Sequence, residues 1–150
     1  DEQGRVARTP WTSAHQVLPQ IQALILSEED IDGDAGQVQR LAAQVPLLAL
    51  TRGAQGVTLV QGGRAHHLPD RPAWEADPTG AGDVWAAAFL IRLAEGADAI
   101  AAARFANAVA SFSVEGPGAG AIPTRAAVEG WLAAHPTWGW PAEGGIERGA

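Results

Sequence analysis

The chain has 150 residues, 47% of them hydrophobic, enough for one domain with a buried core. A net charge of -7 with no basic run argues against nucleic acid and against an anionic membrane surface as partners. With no cysteine, disulfide frameworks and thiolate metal sites are excluded, and no apolar stretch reaches membrane-spanning length. No signal peptide is read at the start, so a soluble cytoplasmic protein is expected. The chain begins at Asp1 and contains no Met, which points to a processed product or a piece of something longer.

Residues 1–19 are polar and mixed, with Pro10 and Pro19, and read as loop with a short helix near Ser13 to Leu18. Ile21 to Leu26 is a short apolar run that fits a buried strand. Ser27-Glu28-Glu29-Asp30 follows its carboxyl end, where open α/β sheets place their ligands. The same four residues also suit a solvated acidic helix start. Asp34 to Val45 carries Val38, Leu41, Ala42 and Val45 at helical spacing, and Pro46 ends it. Leu47 to Thr51 reads as a second buried strand.

Thr51-Arg52-Gly53-Ala54-Gln55-Gly56 then leads into Val57-Thr58-Leu59-Val60. The glycines suit a tight turn between two strands. Thr51 offers a hydroxyl, Gly53 a close backbone approach and Arg52 a cation for phosphate. A plain hairpin and a phosphate contact both fit. Gln61-Gly62-Gly63-Arg64 is a second hairpin turn, with Ala65 to Leu68 as the returning strand. His66 and His67 alternate sides of that strand without a third metal ligand nearby and read as surface residues. Pro69 to Ala76 is a loop, with Trp74 expected as its anchor.

Asp77-Pro78-Thr79-Gly80-Ala81-Gly82-Asp83 runs straight into the apolar Val84-Trp85-Ala86-Ala87-Ala88-Phe89-Leu90-Ile91. Gly80 and Gly82 let a ligand approach the backbone, and the first turn of a helix offers unpaired N–H groups at the positive end of its dipole. That combination makes an anion site. Asp83 gives no advantage to simple phosphate binding, but a phosphoryl-transfer site can use a carboxylate there as a base. An N-cap and tight turn would use the same residues. The helix is expected from Gly82 to about Glu95, central to the core because it is apolar nearly all round, with Gly96 as its C-cap. Asp98 starts a second helix to about Val114, packing through Ile100, Ala103, Phe105, Ala106, Val109 and Phe112, with Asn107 as its polar exception. Gly116 to Ala121 is a glycine-permitted loop; Thr124 caps a last helix, Arg125 to Ala134, with Val128, Trp131 and Leu132 on one face. Residues 136–150 are expected to form a loosely held tail, unless Trp138 and Trp140 cover an apolar patch or mark a contact surface.

Asp77 to Asp83 resembles the second signature of the PfkB family, the ribokinase-like sugar kinases, and weaker similarity extends over about residues 20–134. The resemblance implies an α/β, ribokinase-like fold with short strands flanked by helices. It implies that Gly80, Ala81 and Gly82 form an anion hole and that Asp83 is the catalytic base. It implies nucleotide contacts from Thr51, Arg52, Gly53, Gly56, Thr79 and Gly118, and places Asn107 near the adenine, where a plain helix-surface amide is the alternative. Asp77 and the Thr79 carbonyl would hold a monovalent cation such as K+ beside the Gly116–Ala121 loop, itself otherwise a simple connector. Pro78 stands where many members have Thr. Ser27 and Asp30 depart from the family's Asn-x-x-Glu motif, which organises Mg2+ through water, so those roles do not carry over directly.

No counterpart of the family's N-terminal, sugar-binding half and lid is found, and Asp1-Glu2-Gln3-Gly4 resembles a strand end from the middle of such proteins. Residues 1–135 are therefore expected to be the C-terminal, nucleotide-binding half of a kinase, with 136–150 as a tail. The implied function is transfer of the γ-phosphoryl of ATP, with Mg2+, to a hydroxyl of a sugar or sugar-like alcohol. The alternatives are a non-catalytic nucleotide-binding module or inactive fragment, and a structural α/β domain. A homodimer or pairing with the absent N-terminal half is the expected association.

Overall fold

A computed structural model describes residues 11–31 and 34–141. The segment Asp1 to Gly4 and the tail beyond 141 lie outside the described residues. Four strands form one sheet: β1 (Leu24–Ser27), β2 (Leu47–Thr51), β3 (Val57–Gln61) and β4 (Arg64–Leu68), in that spatial order. β1 lies parallel to β2, with Leu24 opposite Leu48; the other pairings are antiparallel, as two successive hairpins require. Five α-helices accompany them: α1 (Ala14–Val17), α2 (Ala35–Ala42), α3 (Ala81–Ala94), α4 (Ala99–Ser113) and α5 (Arg125–Ala134).

β2 is apolar on both faces because both are covered. Leu47 and Ala49 join Val57, Leu59 and Leu68 under α3, α4 and α5. Leu48 and Leu50 face the other way, toward Leu18, Ile31, Val45 and the apolar side of α2. This is the α/β layering expected of a ribokinase-like fold.

Two boundaries differ from expectation. β1 starts at Leu24 because Leu18–Gln20, with Pro19 in its first turn, forms a 3-10 turn that delays the extended chain. α2 stops at Ala42, before Val45; the residue preceding Pro46 is disfavoured in helical conformation, and Val45 turns into the core instead. Asp34 caps α2 by accepting the Gln37 N–H at 3.0 Å.

α3 ends as its sequence implies. Gly96 has φ of 90°, its N–H bonds the Leu93 carbonyl, and the Ala97 N–H reaches back to the Arg92 carbonyl, each at 3.0 Å. That is the paired closure that glycine permits at a helix end. Asp98 at once caps α4 through the Ala101 N–H, so α3 and α4 pack along each other. The buried side of α3 carries Trp85 and Phe89, stacked at 4.7 Å. The opposite side is not buried: Asp83, Ala87, Leu90, Ile91 and Ala94 form an exposed stripe, with Leu90 48% and Ile91 51% exposed.

Residues 136–141 are not loose. Arg104 on α4 donates to the carbonyls of His135, Pro136 and Trp138, and its guanidinium lies over the Trp140 ring at 5.1 Å. Trp138 packs edge-on against Trp131 at 4.8 Å, so this tryptophan does cover an apolar patch. Phe89 is the largest fully buried side chain. Phe89→Ala should cost about 3–5 kcal/mol of stability, read as a lower denaturation midpoint with an unchanged slope in urea.

Candidate active site

The Asp77–Asp83 loop is hung from the end of α4: the N–H groups of Ala76 and Asp77 both bond the Val114 carbonyl, at 2.7 and 3.1 Å. Asp77 then ties two loops together. Its Oδ1 accepts the Thr79 N–H at 3.0 Å and its Oδ2 accepts the Gly118 N–H at 3.3 Å. Hydrogen bonds from Thr79, side chain then backbone, and from Gly118 hold the Asp77 carboxyl below its ordinary range. Gly80 has φ of 81°, the left-handed conformation that launches α3. The first helical bond runs from the Val84 N–H to the Gly80 carbonyl, at 2.9 Å. The N–H groups of Gly82 and Asp83 therefore lie ahead of the helical ladder. A Cβ built on Gly82 would meet nothing within 4 Å, so the space before this turn is open.

That turn forms one wall of a cleft of about 650 Å3. Pro78, Ala81 and Gly82 line it together with Thr51, Arg52, Gly53 and Gly56, Trp85 and Asn107, and the loop Asp70–Ala73. The Arg52 Nε is buried without a hydrogen-bond partner, and its nearest carboxylate, Glu28, is 4.0 Å away. Free helical N–H groups and an orphaned guanidinium nitrogen lining one cleft are the donor set an anion needs.

The remaining expected site residues divide. The Thr51 hydroxyl donates to the Leu26 carbonyl at 3.3 Å, joining β2 to β1 at the cleft edge. Gly56 has a packing reason of its own: with φ of 88°, a Cβ there would sit 2.2 Å from the Leu68 carbonyl oxygen. Asn107 is no helix-surface amide but 1% exposed. Its Oδ1 accepts the Trp85 indole N–H at 2.7 Å, and its Nδ2 donates to the carbonyls of Leu68 and Pro69. Gly118 and Thr79 sit on the loops joined by Asp77, outside the cleft walls; Asp83 is exposed on the first turn of α3, also outside them. Ser27 and Asp30 bond each other at the end of β1, closing a local 3-10 turn.

Two cleft residues carry no sequence signal. Arg71 donates to Ser111 and to Glu115, the latter at 2.6 Å, and stacks over Phe112 at 4.0 Å. It anchors the 69–76 loop in place of Trp74, which is 86% exposed. Asp70 beside it lines the cleft, and burial pushes its carboxyl up to about 6, against the pull of the Arg71 N–H and charge. Among the described residues no cluster of three or more His, Asp or Glu could hold a metal ion.

The chain can now be set beside known proteins. The family of pfkB carbohydrate kinases matches residues 9–125. A ribokinase of Bacillus subtilis is 47% identical over 92 residues, 61% of this chain and 31% of that protein. The structure of Arabidopsis thaliana ribokinase complexed with ribose and ATP superposes with a TM-score of 0.69 at 28% identity, covering 79% of this chain and 43% of that one. A protein described as ribokinase II from E. coli, in complex with ATP and Mg2+, gives a TM-score of 0.72 at 25% identity over 81% and 42%. With the match over most of its length, this chain belongs to the pfkB carbohydrate kinase family. It spans about a third of the Bacillus ribokinase and under half of each solved relative.

Two outcomes test this geometry. Gly56→Ala should destabilise the chain by roughly 1–3 kcal/mol from the backbone alone, with the clash against Leu68 adding to it, measured by thermal unfolding. The native Asp70 carboxyl holds its proton more tightly than the unfolded one, so the native state loses stability as pH rises from about 4 to 6. The loss, roughly 3 kcal/mol, persists above that window. Asp70→Asn should therefore raise the melting temperature at pH 8 and change it little at pH 4; an equal shift at both would contradict this.

Proposed function

We propose that this chain is the nucleotide-binding and phosphoryl-transfer part of an ATP-dependent kinase acting on a sugar or sugar-like alcohol. The observation that carries the reading is the cleft itself, which Thr51–Gly53 and the open first turn of α3 line together. Relatives bound to ATP, ribose or Mg2+ support it. ATP, carrying Mg2+ on its phosphates, supplies the phosphoryl group to be transferred. In this reading the Gly80–Asp83 turn is the anion hole, its Gly82 and Asp83 N–H groups stabilising charge developing on that group while the Ala81 N–H is held by the Pro78 carbonyl at 3.1 Å. Arg52, with its unpartnered Nε, is a further donor to phosphate. Asp83 takes the proton from the attacking hydroxyl. Asp77 keeps the two glycine loops in register and, with the Thr79 carbonyl, holds a monovalent cation.

The exposed stripe of α3 starts at Asp83 and continues through Leu90 and Ile91. In this reading the stripe is where the remainder of the kinase fold packs, which brings the acceptor to Asp83. A non-catalytic nucleotide-binding module is the second reading, favoured by Asp83 lying outside the lining of the cleft.

Asp83→Asn in the complete enzyme keeps the shape but not the proton acceptor. Its kcat should fall at least 10²-fold, about 2.7 kcal/mol in barrier, with ATP affinity little changed. Near-normal steady-state turnover would remove Asp83 from the chemistry. Residues 1–150 alone should bind ATP weakly, release no ADP in response to a sugar panel, and associate through the uncovered apolar face. A monodisperse monomer with robust sugar-dependent ADP release would contradict the incomplete-kinase reading and leave the chain catalytic by itself.

A further inference from the structure

We infer that Asp70 is a specificity residue of the cleft, whose free carboxylate oxygen accepts a hydrogen bond from the nucleoside part of the bound nucleotide, either a ribose hydroxyl or an exocyclic amino group of the base. The inference rests on the nucleotide reading of the cleft and deepens it. Asp70 lines the same cleft as Arg52, Ala81 and Gly82. Its Oδ1 accepts the Arg71 N–H at 2.8 Å, while among the described residues its Oδ2 takes no hydrogen bond. The adjacent cation does not neutralise it: the Arg71 guanidinium is turned to Glu115, Ser111 and the Phe112 ring.

A partly buried carboxyl without an ion-pair partner weakens the fold that holds it, and a neutral residue would fold better. Residues that break a local rule without a structural gain are concentrated at functional sites. The ligand group opposite it cannot be a phosphate, because a carboxylate repels one. Once ionised, Asp70 is acceptor-only, so it selects for N–H or O–H donors. A nucleotide carries those on its ribose hydroxyls and on amino-bearing bases. Desolvation makes the match sharper, since a carbonyl oxygen placed there would leave two acceptors facing each other without water. With its carboxyl pushed up to about 6, Asp70 is in the ionised, acceptor form at pH 8.

The test is calorimetry at pH 8 on the full-length protein carrying this chain, wild type against Asp70→Ala and Asp70→Asn. The probes are ATP, 2′-deoxy-ATP, 3′-deoxy-ATP, ITP and inorganic tripolyphosphate. Asp70→Ala should weaken ATP at least tenfold yet bind tripolyphosphate as well as wild type or better, which also reports that the cleft is still folded. Asp70→Asn, which keeps an acceptor oxygen, should recover part of the ATP affinity. If the wild type discriminates against a deoxy nucleotide and the Ala variant no longer does, the donor is that ribose hydroxyl. If ITP is the discriminated probe, the donor is the base amino group. Undiminished ATP binding by Asp70→Ala, or equal weakening of ATP and tripolyphosphate, overturns the inference while leaving the nucleotide site in place. A wild-type protein that binds neither ATP nor tripolyphosphate overturns the nucleotide reading and this inference together.

Discussion

The Asn107 amide ties three elements together by hydrogen bonds. From α4 it accepts the indole N–H of Trp85 on α3 and donates to the last carbonyl of β4 and the first of the loop beyond. The Trp85 indole N–H and the Leu68 carbonyl are shut away from water, so each needs a partner. An apolar side chain in its place would strand an indole N–H and weaken the hold on the Leu68 and Pro69 carbonyls, at a cost of about 1–3 kcal/mol for each group left unpaired. The cleft inherits its shape from this junction. Trp85 and Asn107 form its floor, the loop from Asp70 begins one residue past Pro69, and Gly56 presses against the same Leu68 carbonyl.

What could be read in the sequence was what local chemistry dictates. Asp98 before an apolar helix, Gly96 between two helices and Thr124 before α5 each carry a conformational preference strong enough to act alone, and each stands where expected. The hairpin of β3 and β4 and the continuous apolar run of β2 were legible for the same reason. Trp74 shows the limit. Size suggests burial, but a loop is anchored by whatever its surroundings offer, and α4 and the turn after it offer Ser111, Phe112 and Glu115 to Arg71 instead. Asn107 shows it again: its partners lie 22 and 38–39 residues away, a separation that leaves no periodic trace. The Gly80–Asp83 motif was legible because a dense run of small residues before a helix is rare. Gly56 was legible as a glycine but not for its packing reason, which depends on a strand that returns twelve residues later.

Net charge is a poor guide to such a site. A chain at -7 still offers an anion the N–H groups of one helix turn and one orphaned guanidinium nitrogen. These act over a few ångströms, inside a cleft, where they are screened less than the surface charge around them.

The three aspartates around that cleft differ in what satisfies them, and the difference assigns their work. Asp77 has an N–H on each oxygen and a carboxyl held below its ordinary range. It stays ionised and ties loops together, and for that reason makes a poor proton acceptor: taking a proton would forfeit bonds that favour its charged form. Asp70 is partly desolvated, with an N–H on one oxygen only. Asp83 makes no hydrogen bond among the described residues and stands on the same turn as the open N–H groups, at the head of the exposed stripe of α3. A base must meet its proton donor without first breaking other bonds, and it must sit beside the donors that stabilise the charge it helps create. Under the proposed function, Asp83 is the one of the three given that work.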